Sequence, residues 1–468
     1  LFYAVIEFSL MIKFITRKKV KSPPIPSQLP KVTVQLPLFN EQFVAARLID
    51  SVCSIDYPKE LLDIQILDDS SDNTVEIVQQ KVAEYSQQGF NIRHIQREER
   101  TGFKAGALAH GMLFAKGEFI AIFDADFVPK KDFLLKSIPY FEDKNIGVVQ
   151  TRWTHINESY SLLTRLQAIF LNTHFTVEQS GRNESAAFIN FNGTAGVWRK
   201  SCIDNSGGWQ ADTLTEDLDL SFRAQMKGWK FQYLMDQESP AELPISLPAF
   251  KIQQFRWSKG AAECTKKNIA DLFRTKSLSF PAKIIGGFHL LNSSAYIVVL
   301  SFILLSLPMA FFFNENGEHS DPYGVLNYTY ITTILLFFVF LAGNISVSKR
   351  KLNTILTFPL LFPLFLMLTM GISLHLTTGV IEGYLGKKSA FVRTPKFNIK
   401  SGRETANQSV YQSITITPIL ALELLLLTYC VVAMVYTYQF NNIPLLVYEG
   451  MFTLGLSANI ISSLFKKH

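Results

Sequence analysis

Long apolar runs in the C-terminal part of the chain constrain its fold more than any other feature. Each run is long enough to supply the roughly 20 residues with which a helix crosses a bilayer. They lie near Leu290–Phe313, Leu326–Val347, Ile355–Val380, Ile414–Tyr436 and Ile443–Leu464. Because 48% of the 468 residues are hydrophobic and only 18% are charged, a disordered, fibrous or small disulfide-rich protein is excluded. The sequence therefore predicts an integral membrane protein.

The chain divides into three predicted parts. Residues 1–16 are apolar and precede a basic cluster, whereas a signal peptide carries its charges first, so we expect a transmembrane helix whose start is missing. Residues 17–281 have the composition of an ordinary water-facing domain. Residues 282–468 are expected to form the membrane region, with interfacial helices and a cytosolic loop around residues 383–412.

The net charge of +6 indicates membrane orientation rather than nucleic-acid binding. Basic residues cluster beside the apolar runs, as at Arg17–Lys19 and Lys349–Lys351, and such clusters favour the cytoplasmic side. The loop at residues 383–412 is also basic, yet a single crossing at Ile355–Val380 would place it outside. We therefore predict that this run is bent or interfacial, with its helix interrupted by Pro359 and Pro363.

Residues 17–281 begin as alternating strand and helix patterns. The predicted strands lie within Lys31–Pro37, Asp63–Asp69 and Gly117–Asp126, and the helices within Glu41–Cys53, Asn73–Gln88 and Lys104–Ala115. This order predicts an α/β domain with a mostly parallel sheet. Such sheets bind ligands beyond the carboxyl ends of their strands.

Acidic residues follow two of these strands. Asp68 and Asp69 end one strand, and Asp124 and Asp126 end another. A pair of carboxylates in a D-x-D pattern can face one hard cation, and one or two carboxylates plus substrate phosphates are a common site for Mg²⁺ or Mn²⁺. Lys104, which starts a helix between glycines, could meet a diphosphate, although a solvated lysine on a helix surface has the same pattern.

Two later motifs supply candidate catalytic groups. Asp217, after Thr215 and Glu216, could be a general base for an acceptor hydroxyl, or the acidic pair could merely complement a helix N-terminus. Gln253-Gln-Phe-Arg256-Trp257 joins an indole face that could bind a sugar ring to a guanidinium that could offset diphosphate charge. The alternative for Trp257 is burial at the membrane interface.

In this order, the four motifs resemble the D, D-x-D, T-E-D, Q-x-x-R-W signature of processive family 2 glycosyltransferases, the cellulose synthase superfamily. The stretches His174–Gln179, Phe191–Arg199 and Phe391–Phe397 sharpen the resemblance, and the first two are similar to the cellulose-synthase-like A and C branches. Those branches make β-1,4-mannan or glucomannan backbones and a β-1,4-glucan backbone.

The resemblance implies a GT-A domain in the cytosol joined to a transmembrane channel. The implied catalytic residues are Asp217, Glu216 and Arg256. The implied nucleotide-sugar ligands are Phe39, Glu41, Asp68, Asp69, Lys104 and Asp124. The implied acceptor-binding residues are Trp257, Gln253, Asn192 and Gly193, and the implied metal ligands are Asp124 and Asp126.

The leading hypothesis is an inverting, metal-dependent enzyme that polymerises hexose from UDP-glucose or GDP-mannose into a β-linked, β-1,4 polysaccharide. The expected partners are the nucleotide sugar, the growing polysaccharide, membrane lipid and a second copy or export partner, in a bacterial inner membrane or a Golgi membrane. One alternative is a non-processive glycosyltransferase that acts on a lipid acceptor. Another is a non-catalytic membrane protein that uses the same fold as a binding module.

Overall fold

The structure, a computed structural model, describes residues 1–18, 22–316, 323–389, 392–398 and 418–464. Within this part of the chain, seven strands form one sheet in the order β3-β2-β1-β4-β6-β5-β7. The strands are β1 (Val32–Leu38), β2 (Leu62–Asp68), β3 (Ile92–Ile95), β4 (Phe119–Ile122), β5 (Ile146–His155), β6 (Gly196–Arg199) and β7 (Lys230–Ala241). Only β6 runs against its neighbours, so the predicted mostly parallel sheet is confirmed.

Both faces of the sheet are covered, as expected for a parallel sheet with helical connections. In β4, Phe119 and Ala121 join one hydrophobic core, while Ile120 and Ile122 join the core on the opposite face. This alternation follows the two-residue period of a strand. The helices of the sheet domain are α2 (Ala45–Cys53), α3 (Thr74–Gln87), α4 (Phe103–Met112), α5 (Phe133–Ser137), α6 (Leu162–Thr173), α7 (Gln179–Glu184), α8 (Lys200–Asn205) and α9 (Glu216–Met226).

The carboxyl ends of three central strands lie at one edge of the sheet. Leu38 pairs with Asp68 in the register of β1 and β2, and Gln35 pairs with Ile122 in that of β1 and β4. Phe39, Asp69 and Asp124 therefore follow strands that end side by side. We call this the active edge, because it carries the site described below.

The remaining helices connect the sheet domain to apolar segments. They are α10 (Leu247–Arg274), α11 (Phe280–Leu291), α12 (Ala295–Asn316), α13 (Tyr323–Val347), α14 (Lys351–Gly371), α15 (Ser373–Leu385), α16 (Pro418–Gln439) and α17 (Ile443–Leu464), and α1 (Phe2–Thr16) precedes the sheet. Among the described residues, five stretches are long and apolar enough to cross a membrane: Phe280–Phe312, Tyr328–Val347, Lys351–Gly371, Pro418–Gln439 and Ile443–Leu464. Each overlaps one of the five predicted runs, although the bounds differ.

The run Ile355–Val380 is divided, but not where the sequence predicts. α14 continues through Pro359 and Pro363 and ends at Gly371. There it meets α17 so closely that a Cβ on Gly371 would lie 2.3 Å from the backbone of Gly455. Each proline removes only one backbone hydrogen-bond donor, so the apolar helix continues through both. The break comes instead where α14 crosses α17.

α14 and α15 both lie against helices from earlier in the chain, α6 and α10. The ring of Phe365 in α14 stacks on Phe170 of α6, at 6.5 Å between centroids. In α15, Gly379 packs against the ring of Phe255 in α10. Residues 392–398 then reach the active edge; residues 390–391 and 399–412 of the predicted cytosolic loop lie outside the described residues.

Candidate active site

A cavity of about 180 Å³ opens at the active edge, and we call it the edge cavity. Every site residue that the sequence suggests lines it, except Asp68. They are Phe39, Glu41, Asp69, Lys104, Asp124, Asp126, Asn192, Gly193, Glu216, Asp217, Gln253, Arg256 and Trp257. Motifs separated by more than 200 residues of sequence thus meet in one place.

Asp68 lies behind the cavity instead of on its wall. Its carboxylate is buried, contacts the ring of His94 at 2.8 Å and accepts a hydrogen bond from the backbone N–H of Ser70 at 3.0 Å. Asp69 is the member of the pair that faces the cavity, and Arg97 donates two hydrogen bonds to it. Direct nucleotide contact is therefore available to Asp69, whereas Asp68 shapes the turn that presents it.

Lys104 lies at the centre of the polar wall. Its ammonium is 2.6 Å from Asp124 and 3.9 Å from Glu216, and it donates a hydrogen bond to the backbone oxygen of Gly193 at 2.9 Å. Burial opposes the charge on Lys104, but the neighbouring carboxylates outweigh it and raise its pKa. The side chain therefore stays positively charged where a diphosphate would need a cation.

All three residues of the D-x-D motif line the cavity, and Ala125 between the two carboxylates also packs in the hydrophobic core. Asp124 pairs with Lys104, and Asp126 pairs with Lys396 at 2.5 Å. The described residues contain no cluster of three or more His, Cys, Asp or Glu side chains that could hold a metal on their own. Two hard oxygen ligands beside a phosphate site nevertheless fit a divalent ion that is completed by substrate phosphates.

Glu216 and Asp217 form the first turn of α9 at the far side of the cavity. Burial and the adjacent Glu216 charge raise the pKa of Asp217 to about 7, against the opposing charge of Lys104. Burial likewise raises the pKa of Glu216. A carboxyl with a pKa near neutrality is well matched to general-base catalysis, because it accepts a proton without being too weak a base.

Gly193 lies so close to Asp217 and Lys104 that only a glycine fits there. Its backbone has a φ of +79°, and a Cβ would lie 3.0 Å from Oδ2 of Asp217 and 3.3 Å from Nζ of Lys104. The missing side chain leaves space between Asp217 and Lys104.

α10 carries the last of the four motifs. Ser246 caps its first turn by accepting a hydrogen bond from the N–H of Ala249. Gln253, Arg256 and Trp257 follow at positions i, i+3 and i+4, a spacing that puts side chains on one face of a helix. All three line the edge cavity.

Residues 392–398, which we call the closing segment, form a wall of the cavity that the sequence motifs did not assign to the site. Lys396 binds Asp126, and Thr394 accepts a hydrogen bond from Arg256 at 3.1 Å. Arg393 is 3.6 Å from Glu41, whose pKa burial raises to about 7 despite the nearby Arg393 and Lys396 charges. Only the family resemblance pointed to this segment, because a strand-end pattern cannot reveal a partner 270 residues away.

Arg100 and Trp153 are among the lining residues that were not predicted. The guanidinium of Arg100 lies 3.3 Å from the ring centroid of Phe39. A cation therefore packs on the ring that could face a nucleobase. Trp153, near the end of β5, also borders the cavity. Arg100 lies just before the Gly102–Lys104 turn, which could have signalled it; the sequence around Trp153 carries no such signal.

A second cavity of about 360 Å³, the helix cavity, continues from the first. The two share Trp153, Asn192, Thr215, Asp217 and Trp257. Beyond them the wall is rich in rings from α6, the following helical turn and the apolar helices: Phe170, Phe175, Tyr296, Phe340, Phe362 and Phe365. The candidate base therefore stands where a polar cavity meets an aromatic one.

Comparisons with known proteins identify the family of the chain. Residues 30–260 match the family described as "Glycosyltransferase like family 2". Glucomannan 4-beta-mannosyltransferase 1 of Oryza sativa subsp. japonica is 38% identical over 380 residues, which cover 79% of this chain and 70% of the relative. Glucomannan 4-beta-mannosyltransferase 2 of Arabidopsis thaliana is 43% identical over 291 residues, 60% of this chain and 54% of that protein.

A solved structure supports the fold. The mannosyltransferase PcManGT from Pyrobaculum calidifontis, determined in complex with GDP-Man and Mn²⁺, superposes with a TM-score of 0.52 at 16% identity, over 82% of this chain and 96% of that one. At this identity the likeness speaks for the GT-A fold alone. The fold and the plant relatives together show that this chain is a glycosyltransferase of family 2, in the cellulose-synthase-like A branch.

Proposed function

We propose that the protein polymerises mannose from GDP-mannose into a β-1,4-linked polysaccharide at a membrane. The observation that carries the proposal is the junction of the two cavities at Asp217 and Trp257. A sugar transferred there leaves the charged edge cavity and enters a ring-lined path between apolar helices. The names of the plant relatives favour mannose over glucose as the sugar.

In the proposed reaction, Asp217 takes the proton from a hydroxyl at the non-reducing end of the acceptor. The hydroxyl oxygen bonds to the anomeric carbon on the face opposite the α-linked diphosphate. The bond from that carbon to the diphosphate oxygen breaks, and the nucleoside diphosphate leaves with the electron pair. One displacement inverts α to β, so a single carboxylate base suffices.

The leaving diphosphate needs positive charge, and Lys104 and Arg256 border the cavity where it would lie. A divalent ion, held by Asp124 and Asp126, would add charge stabilisation as a Lewis acid when the nucleotide sugar is bound. Lys396 pairs with Asp126 at 2.5 Å, so its ammonium would also lie close to the phosphates of a bound nucleotide sugar.

The remaining walls suit the ends of the two substrates. Phe39 with Arg100, together with Asp69 and Glu41, would hold the nucleoside. Trp257, Gln253 and Asn192 would hold the acceptor sugar, whose apolar C–H face suits an indole ring.

A multi-pass membrane topology accompanies this proposal, with residues 17–281 in the cytosol. The contacts between the closing segment and Asp126 favour a cytosolic place for the predicted loop. The packing of α14 on α6 and of α15 on α10 favours an interfacial position for that pair, so that the loop need not follow a crossing.

Membranes that carry the protein, incubated with Mn²⁺ or Mg²⁺ and with radiolabelled GDP-mannose or UDP-glucose, test the proposal. We expect polymer from GDP-mannose that β-mannanase digests, and none from membranes with Asp217→Asn. A polymer made from UDP-glucose and digested by β-1,4-glucanase would correct the sugar. A single labelled lipid, or no product from any common nucleotide sugar, would contradict the synthase and favour the lipid-glycosylating enzyme or the binding module.

A further inference from the structure

A buried chain of hydrogen bonds lies behind the place where the two cavities meet. His174–Glu178 form one π-helical turn between α6 and α7, and such turns are often found at functional sites. His174 lines the helix cavity, and its ring contacts Asn192, which lines both cavities. Nothing in the reaction described above uses His174.

The direction of each hydrogen bond in this chain follows from a single backbone carbonyl. The side-chain amide nitrogen of Gln179 is 2.8 Å from the backbone oxygen of Asn190, which can only accept. The same nitrogen therefore also donates to Oδ1 of Asn192, at 2.7 Å. This fixes the Asn192 amide, so that its nitrogen faces Nε2 of His174 at 3.1 Å.

His174 must therefore accept at Nε2 and carry its proton at Nδ1. That proton points to Oε2 of Glu178, 2.9 Å away. Glu178 is held in turn by Arg182 at 2.9 Å, and Arg182 also reaches Nδ1 of His289 at 2.7 Å. Glu178 and Arg182 are 5% and 3% exposed, so this ion pair is a fixed part of the interior.

Asn192 still has bonding capacity on the cavity side. An asparagine amide offers two N–H groups and an oxygen with two lone pairs, and His174 and Gln179 use one of each. Asn192 lines both cavities, as do Asp217 and Trp257, so its unused donor and acceptor are available at the wall that the two cavities share. One donor and one acceptor at fixed angles match the hydroxyls of a sugar.

We propose that neutral His174 is a positioning residue that orients the Asn192 amide to bind the terminal sugar of the acceptor. The proposal rests on the proposed function and extends it to a residue outside the four motifs. His174 acts through Asn192 and does not touch the donor, because it lines only the helix cavity. Loss of the His174 side chain should therefore weaken binding of the acceptor and leave binding of the donor unchanged.

The test compares His174→Leu with His174→Gln in membranes supplied with GDP-mannose and a titrated manno-oligosaccharide. Glutamine can accept from Asn192 with its oxygen and donate to Glu178 with its nitrogen, as the neutral ring does, whereas leucine can do neither. His110→Leu is the matched control, because His110 lies on α4 and lines neither cavity. Hydrolysis of GDP-mannose without acceptor reports on the donor site.

We expect His174→Leu to raise the KM for the oligosaccharide by about tenfold, the effect of one well-placed hydrogen bond. Donor hydrolysis should stay within about twofold of wild type, and His174→Gln should recover most of the acceptor affinity. Equal loss of transfer and hydrolysis in His174→Leu, or no recovery with glutamine, would overturn the inference. A wild-type protein that extends no oligosaccharide would instead contradict the proposed function.

Discussion

The two cavities that meet at Asp217 differ in the polarity of their walls. The edge cavity is walled by charged groups from strand ends, α4, α9, α10 and the closing segment, among them Lys104, Asp124 and Lys396. The helix cavity is walled mainly by rings and aliphatic side chains. The charged walls of the edge cavity suit a charged leaving group. The apolar walls of the helix cavity suit a neutral polysaccharide that has to move through it.

The difference indicates how one site could both fix a donor and release a product. Charge-assisted bonds are directional and strong, so they suit a nucleotide diphosphate that must be held in one pose. Aromatic faces contact sugar rings over broad areas with little directional preference, so they suit a polymer that must advance. The following predictions break or sharpen this contrast.

Removing the base should have the largest effect, because it acts on the chemistry at the junction. Asp217→Asn should lower polymer synthesis by about 10³-fold, within the usual range for a general base. Nucleotide binding, measured by calorimetry, should be retained. Asp204→Asn is the control, because Asp204 is an exposed carboxylate of α8 that lines neither cavity. Comparable losses in both variants would contradict the role of Asp217.

Filling the space beside Asp217 should have the second largest effect. Gly193→Ala would push a methyl group toward Asp217 and Lys104, and small displacements of reacting groups cost about 10²-fold in rate. Gly228→Ala is the control, since Gly228 has a φ of +93° but nothing within 4 Å of a Cβ. Both variants share the backbone strain, so a kcat lowered only in Gly193→Ala isolates the contact.

Blocking the helix cavity should separate polymerisation from transfer. Val299→Trp would fill the path and lower polymer length by about tenfold, while transfer of one sugar to a short acceptor stays within about threefold. Val298→Trp, at a neighbouring position that is 67% exposed, should have no effect on length. Product sizing by gel filtration measures both. Unchanged length in Val299→Trp would refute the path.

The smallest effect is expected close to neutral pH, where partial protonation of Asp217 should lower the rate about twofold. Asp217 must be deprotonated to act, and its pKa is raised to about 7, so the rate should rise with pH through that value. At pH 7 about half of the plateau rate is expected, and at pH 6 about one tenth. Initial rates from pH 5.5 to 8.5 measure this, with nucleotide binding as the control. A flat profile above pH 5.5 would contradict the raised pKa.

Much of the edge cavity could be predicted from the sequence, because strand ends of a parallel sheet must meet at one edge. That rule is enough to predict that Phe39, Asp69 and Asp124 are neighbours. It could not tell Asp68 from Asp69, since which of two adjacent carboxylates faces outward depends on the turn that His94 and Ser70 complete.

The closing segment and the helix cavity lay beyond such reasoning. The ion pair of Lys396 with Asp126 joins residues 270 positions apart, and hydropathy alone does not say which side of a membrane a long loop reaches. The prediction that the prolines interrupt α14 is wrong: the helix ends at Gly371, where it contacts Gly455 of α17, a residue far away in the sequence. Contacts between residues that are far apart in the chain leave no periodic pattern in the local sequence.

α10 is an uninterrupted helix of 28 residues, and its rise of 1.5 Å per residue gives it a length of about 42 Å. Trp257 borders both cavities, and the next residue, Ser258, belongs to the helix cavity. The proposed transfer site and the start of the proposed path are therefore bordered by one helix that has no break between them. If the enzyme polymerises as proposed, each cycle must shift the product by one sugar along a stationary track, so the polymer is the moving part.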